Sequence, residues 1–189
     1  MSINNSCNGI SNKKIALFSI YLASSIILQA VEYMFLPQVP IPGVKVGMAN
    51  IIVLLMLGSF TLPEIGLSVV LRVIISSLAT GTMMTPSFYL SLGGAVLSFL
   101  VIAIFYKTLY GRLSLVGMAM VGAVAHNIGQ LVVAYFLIDN ISIIAYGPVL
   151  MLAALPFGIL TGVIARITLN KLEGLDVGIK NVESRGVGT

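Results

Sequence analysis

The chain has 189 residues, of which 58% are hydrophobic and 8% charged, with one histidine and one cysteine; a soluble domain carries about 25% charged residues. Together with several apolar runs of about 20 residues this reads as a single polytopic helical membrane domain, and no stretch alternates in polarity as a transmembrane β-strand would. The net charge of +4 comes without any basic cluster interleaved with aromatics, so nucleic acid is not a partner. Cys7 alone supports neither a disulfide framework nor a thiolate metal site.

Residues 1–13 form a polar N-terminal tail rich in Asn and Ser, with Lys13 and Lys14 at the membrane border. The membrane domain covers 14–171, and 172–189 is a polar, Gly-rich C-terminal tail. Ile15 to Leu36 is too long for a signal-peptide core and reads as a first membrane helix. Ser19 and Ala23 form a small-xxx-small pair on it, which lets another helix approach closely, from a partner or from the chain itself. Gln29 and Glu32 sit near its far end. Pro37 to Gly43 cannot be helical, since three prolines remove backbone donors and bias their neighbours away from the α region. Lys45 follows.

Val46 to Phe60 is expected as a second helix with Asn50 in its first turn. The next begins at Pro63 and runs to about Ser77, with Thr61 as a cap and Glu64 at the positive dipole end. Both are short for a full span, so tilt or a re-entrant hairpin stays open. Arg72 lies within the third helix, where a charge needs an acidic partner, a cavity or a snorkelling path; Glu32 is the nearest acidic residue by depth. A loop at Ala79 to Pro86 leads to a fourth helix, Ser87 to Tyr106, with Gly93-Gly94 as a close-packing point. A basic turn from Lys107 to Arg112 precedes the fifth helix, which ends at Asp139. Ile141 to Leu169 is expected as a long sixth helix kinked at Gly147-Pro148 and Pro156. Gly158 and Gly162 give it a GxxxG face.

Six membrane helices put both termini on one side, together with Lys13, Lys14, Lys107, Arg112, Arg166, Lys171, Lys180 and Arg185. The positive-inside rule makes that side cytoplasmic. Lys45, Asn50, Glu32, Thr80 to Thr85 and Asp139 then fall toward the outer half, as for a pocket opening outward. His126, Asn127 and Gln130 form a polar island at mid-depth to outer depth in the fifth helix, with His126 and Gln130 one turn apart on one face. An isolated histidine in a helix is often a hydrogen-bonded structural residue, but intramembrane polar groups mark functional sites. One His without nearby Cys or acidic residues makes a poor metal site. No aspartate-rich cluster is present to hold magnesium and diphosphate, and no Gly-rich phosphate loop to serve as a nucleotide motor. No catalytic residue and no cofactor is therefore expected. What remains is recognition of a small molecule: Asn50, His126, Asn127 and Gln130 supply donors and acceptors, Lys45 and Arg72 positive charge, and Met48, Met83, Met84, Phe88 and Tyr89 apolar cover.

Four motifs in order, P-I-P-G-V-K-V-G-M-A-N-I (40–51), L-R-V-I-I-S-S-L-A-T-G (71–81), F-Y-L-S-L-G-G-A-V-L-S (88–98) and G-A-V-A-H-N-I-G-Q-L-V-V-A (122–134), resemble the Gx transporter family. Its members are often labelled heptaprenyl diphosphate synthase component I. That family in turn looks like the S components of energy-coupling factor (ECF) transporters. The resemblance implies a six-helix S-component-like bundle in the bacterial cytoplasmic membrane. It implies a protein that captures a small molecule from outside for uptake driven by a transmembrane coupling subunit and ATPase subunits. The 37–45 connector would help close the pocket, and the first helix, with Ser19 and Ala23 standing near the usual Ala-xxx-Ala signature, would face the coupling subunit. The alternative is a non-catalytic membrane component of a prenyl-diphosphate synthase or quinone-linked system.

Overall fold

The computed structural model describes residues 4–35, 47–109 and 113–173. The Pro37 to Gly43 connector, Lys45, Arg112, Lys180 and Arg185 lie outside the described residues. Six α-helices follow one another: α1 Asn4–Phe35, α2 Ala49–Met56, α3 Leu62–Ala79, α4 Pro86–Thr108, α5 Leu115–Ile138 and α6 Gly147–Glu173. A 3-10 turn at Ile141–Tyr146 joins the last two. Five of the helices are long and apolar enough to cross a membrane, which makes this a multi-pass membrane protein.

The second helix, already expected to be short for a full span, is shorter than the Val46 to Phe60 run. It covers eight residues, and the chain leaves it through a turn in which Ser59 and Phe60 N–H both donate to the Met56 carbonyl, at 3.0 and 2.9 Å. The segment nonetheless passes through the thickness of the bundle. Its start is tied to Glu32 of α1, and its end, at Thr61 and Glu64, to Lys14 of α1. Those two α1 residues are 18 apart (32 − 14), about 27 Å along a helix. Irregular backbone at that depth is tolerated only where protein surrounds it. Every residue of α2 is buried. It packs against α1, α3, α5 and α6, and Tyr106 of α4 donates to the Leu57 carbonyl at 3.3 Å. The shortest helix is thus the axis of the bundle.

The helices alternate in direction. Gly93 lies against Gly129 and Val133, and Gly122 against Ser98 and Ile102, so α4 and α5 are antiparallel. Gly158 faces Met120 and Ala123 while Gly162 faces Val116 and Ala119, so α5 and α6 are antiparallel too. The GxxxG face is therefore spent on packing within the chain. α1 begins and α6 ends at the same face, which also carries Lys13, Lys14, Lys107, Arg166 and Lys171. At this face Lys14 Nζ reaches Glu64 Oε1 at 2.7 Å, the one ion pair among the described residues.

Two boundaries differ from the sequence reading. α1 starts at Asn4, inside the polar tail, because polar residues beyond an apolar run can continue its turns outside hydrocarbon. The expected 141–169 helix divides at Gly147, where Asn140 Oδ1 caps the 3-10 turn by accepting from Ser142 N–H at 2.9 Å. Pro148 then stands in the first turn of α6, where its missing N–H is harmless. Pro156 lies inside α6, which continues past it to Glu173.

The surface is apolar and the interior partly polar, the reverse of a soluble bundle. Ile20, Ile27, Leu67, Leu100, Val132, Phe136, Leu152 and Ile167 are exposed, while Glu32, Asn50, Ser68, Arg72, Ser76, Ser98, His126, Asn127 and Gln130 are buried.

Candidate functional site

α3 supplies Arg72 from its inward stripe. Ser68, Arg72 and Ser76 recur at four-residue spacing and share a face, and all three are buried. Arg72 is 3% exposed, and its Nε and Nη1 have no hydrogen-bond partner. Glu32 acts on it electrostatically but does not pair with it. The Glu32 carboxylate instead holds the start of the α2 segment, accepting from Gly47 N–H at 2.8 Å and Met48 N–H at 3.1 Å. The first N–H groups of a helix lack partners within it, and a carboxylate there meets the positive dipole end as well. Gly47 has φ +72°, a conformation that favours glycine.

In the first turn of α2, Asn50 Nδ2 donates to Ser98 Oγ of α4 at 3.3 Å, and Ser98 Oγ donates to the Gly122 carbonyl of α5 at 2.8 Å. This buried relay joins three helices. A turn away on α4 is Gly94, where a Cβ would stand 2.8 Å from Gln130 Cγ and 2.9 Å from both Cε1 and Nε2 of His126. The missing side chain is what lets the His126–Gln130 face of α5 lie against α4. Gln130 is 2% exposed, and both its amide nitrogen and its amide oxygen lack partners.

The polar island of the sequence is therefore divided. His126 and Gln130 turn toward α4, whereas Asn127 turns toward α6 and donates from Nδ2 to the Leu150 carbonyl at 2.7 Å. Asn127 is a tie between helices. Asn50, Arg72, His126 and Gln130 are all buried. Arg72 is seven residues from the end of α3, Gly94 eight from the start of α4, and Gln130 eight from the end of α5. At 1.5 Å per residue each lies about 10–12 Å from the same face of the bundle, the face on which Glu32 and Gly47 stand. Of the expected apolar cover, Phe88 is buried, Met48 and Met83 are half-buried, and Met84 and Tyr89 are exposed. Ser19 and Ala23 are exposed on α1, clear of the chain's own helices, and Ser19 Oγ donates to the Ile15 carbonyl at 3.0 Å.

Sequence reasoning passed over Ser98 and missed the role of Glu32 as the clasp on α2. A serine one turn from a Gly-Gly pair, on the same face, was the available signal for the first. For the second there was none, because the contact crosses the connector. Among the described residues no three His, Cys, Asp or Glu side chains come together to hold a metal ion.

A family model described as heptaprenyl diphosphate synthase component I matches residues 21–168, which takes in α2 to α5, the second half of α1 and most of α6. The chain belongs to this family. All the described groups of the site fall inside the matched region. Neither curated proteins nor solved structures give a match. The component I description places the chain in a multi-subunit system, and the helices make it a membrane member of one.

Proposed function

We propose that this component I protein is a substrate-binding membrane subunit of the ECF S-component kind. It captures a small molecule between α2, α3, α4 and α5 and passes it inward with the help of partner subunits. The observation that carries this reading is the buried level holding Arg72, whose Nε and Nη1 have no partner within the protein, and Gln130, whose amide nitrogen and oxygen have none. A buried charge or amide left unpaired is strongly destabilising, and a ligand bringing acceptors and donors satisfies both. The chain has no phosphate loop of its own, so energy would come from a separate coupling subunit and ATPases. In this reading the protein binds and does not catalyse. Its basic face, with Lys13, Lys14, Lys107, Arg166 and Lys171, lies in the cytoplasm of a bacterial cell under the positive-inside rule. The site is then nearer the outer face. The exposed Ser19 and Ala23 give α1 a surface that a coupling helix can approach closely.

Native mass spectrometry of gently purified protein tests this. The expected result is a bound small molecule that Arg72→Gln and Gln130→Leu variants lose, together with co-purifying ATPase and coupling subunits. Protein that carries no ligand, with both variants supporting uptake like wild type, would sink the proposal.

The family description favours a second reading, a non-catalytic membrane component of a prenyl-diphosphate synthase or quinone-linked system. There Arg72 would meet a diphosphate. Co-purification of a soluble aspartate-rich prenyltransferase in place of ATPases would select it.

A further inference from the structure

We infer that the ligand meets Arg72 with a single anionic group of the carboxylate kind, not a diphosphate, and carries beside it a hydroxyl or amide for Gln130. This rests on the substrate-binding reading above and narrows it to a chemical class.

The charge inventory comes first. Arg72 is the one buried basic side chain among the described residues. Lys13, Lys14, Lys107, Arg166 and Lys171 are exposed at the other face. Glu32 is buried, acts on Arg72 electrostatically, and is held in place by two backbone N–H groups. Arginine stays protonated in proteins, so at this level the described residues offer one buried positive charge, with the Glu32 carboxylate acting on it. One carboxylate adds a single negative charge that lies against the guanidinium. A diphosphate adds several, and Glu32 would repel each of them in a medium of low dielectric. Phosphate recognition elsewhere relies on clusters of Arg and Lys, on metal ions or on ranks of free backbone N–H groups. Here the N–H groups of Gly47 and Met48 are already taken by Glu32.

The donor inventory sets the second half. Arg72 Nε and Nη1 are donors only, so they ask for an acceptor; the free amide of Gln130 asks for a group that both accepts and donates. A hydroxyl or an amide does both, and a plain apolar tail does neither. The Gly94 gap holds Gln130 and His126 against α4.

The test uses the full-length protein purified in detergent and two probes with the same hydroxyl-bearing ten-carbon tail, 8-hydroxygeranate and 8-hydroxygeranyl diphosphate (hereafter geranate and geranyl diphosphate). Thermal unfolding is followed against probe concentration. Geranate should raise the midpoint of the wild type, and the diphosphate should raise it less. Arg72→Gln should weaken geranate at least tenfold. Glu32→Gln should strengthen both probes, since it removes the neighbouring negative charge; a fold damaged by that change would weaken them. Stabilisation by geranyl diphosphate equal to or above that by geranate overturns the single-anion head while leaving the binding function in place. No shift with either probe, in protein that carries a bound mass by native mass spectrometry, also overturns the head assignment alone. No shift and no bound mass overturns both, and identical titrations for wild type and Arg72→Gln remove Arg72 from the site.

Discussion

Replacing Gly129 with alanine probes the closest backbone approach in the bundle. A Cβ at Gly129 would stand 2.5 Å from the Gly93 carbonyl oxygen and 3.0 Å from both the Gly93 carbonyl carbon and the Gly94 Cα. Even a close carbon–oxygen contact needs about 3.3 Å, so α4 and α5 must part by roughly 0.8 Å. None of these atoms is a side chain that can swing aside. A gap of about 0.5–1 Å forfeits a quarter to a half of a dispersion contact, and the loss is shared along the whole α4–α5 seam. Overpacking costs about 1–3 kcal/mol; the upper half of that range is expected because backbone meets backbone.

Gly66→Ala is the control. Gly66 also lies inside a helix, so both changes gain the same helix propensity. Its added Cβ meets the Phe99 ring alone, at 2.9 Å from Cε1, and a ring on a half-buried side chain can turn. Equilibrium unfolding in mixed micelles, followed by helicity, measures both variants. Gly129→Ala should lose at least about 1 kcal/mol more than Gly66→Ala. Equal losses, or a Gly129→Ala protein within about 0.5 kcal/mol of wild type, would refute the argument that this seam is set by backbone contact.

Asn127→Leu removes the tie to the Leu150 carbonyl. Interhelical bonds in membranes average about 0.6 kcal/mol with a maximum near 1.7, so unfolding should show a loss below about 2 kcal/mol, and ligand occupancy should persist; loss of ligand would return Asn127 to the site. Gly158→Val and Gly162→Val press on the Met120 and Val116 backbone, so each should lower the stability of the single chain by about 1–3 kcal/mol with no change in oligomeric state by native mass spectrometry. A dimer that falls apart at unchanged stability would show the face to be intermolecular. Lys14→Met breaks an ion pair whose side chains are 46% and 35% exposed, and the loss should stay under about 1 kcal/mol in the same unfolding assay.

Much of the fold was legible because hydrocarbon enforces a simple pattern. The runs now seen as α3, α4 and α5 could be located from their apolar length, with Pro63 and Pro86 near the starts of the first two. α2 was located within the expected Val46 to Phe60 run, but its end at Met56 could not be read, because periodicity does not tell a short buried helix from the end of a long one. Its eight residues are set by contacts from five other helices, most of them distant in sequence. Within the site, Arg72 announced itself as a charge in an apolar run, and His126 with Gln130 as a polar pair one turn apart. Asn127 parts from its neighbour because one residue along a helix is about 100° around it, enough to face α6 while His126 faces α4.

The placement of α2 joins the site to the outside of the bundle. A short helix on the axis leaves backbone N–H groups that must find an acceptor inside protein, and Glu32 of α1 is that acceptor. From there a line of hydrogen bonds runs through Gly47 and Met48 to Asn50 in the first turn of α2, across to Ser98 and on to Gly122. Glu32, which acts on Arg72 electrostatically, begins this line, and the helix that carries it presents Ser19 and Ala23 on its exposed side. An anion arriving at Arg72 changes the field at Glu32, and Glu32 is what fixes α2 to α1. Under the proposed function, the helix that meets the partner subunit is thus also the helix whose carboxylate responds to the ligand.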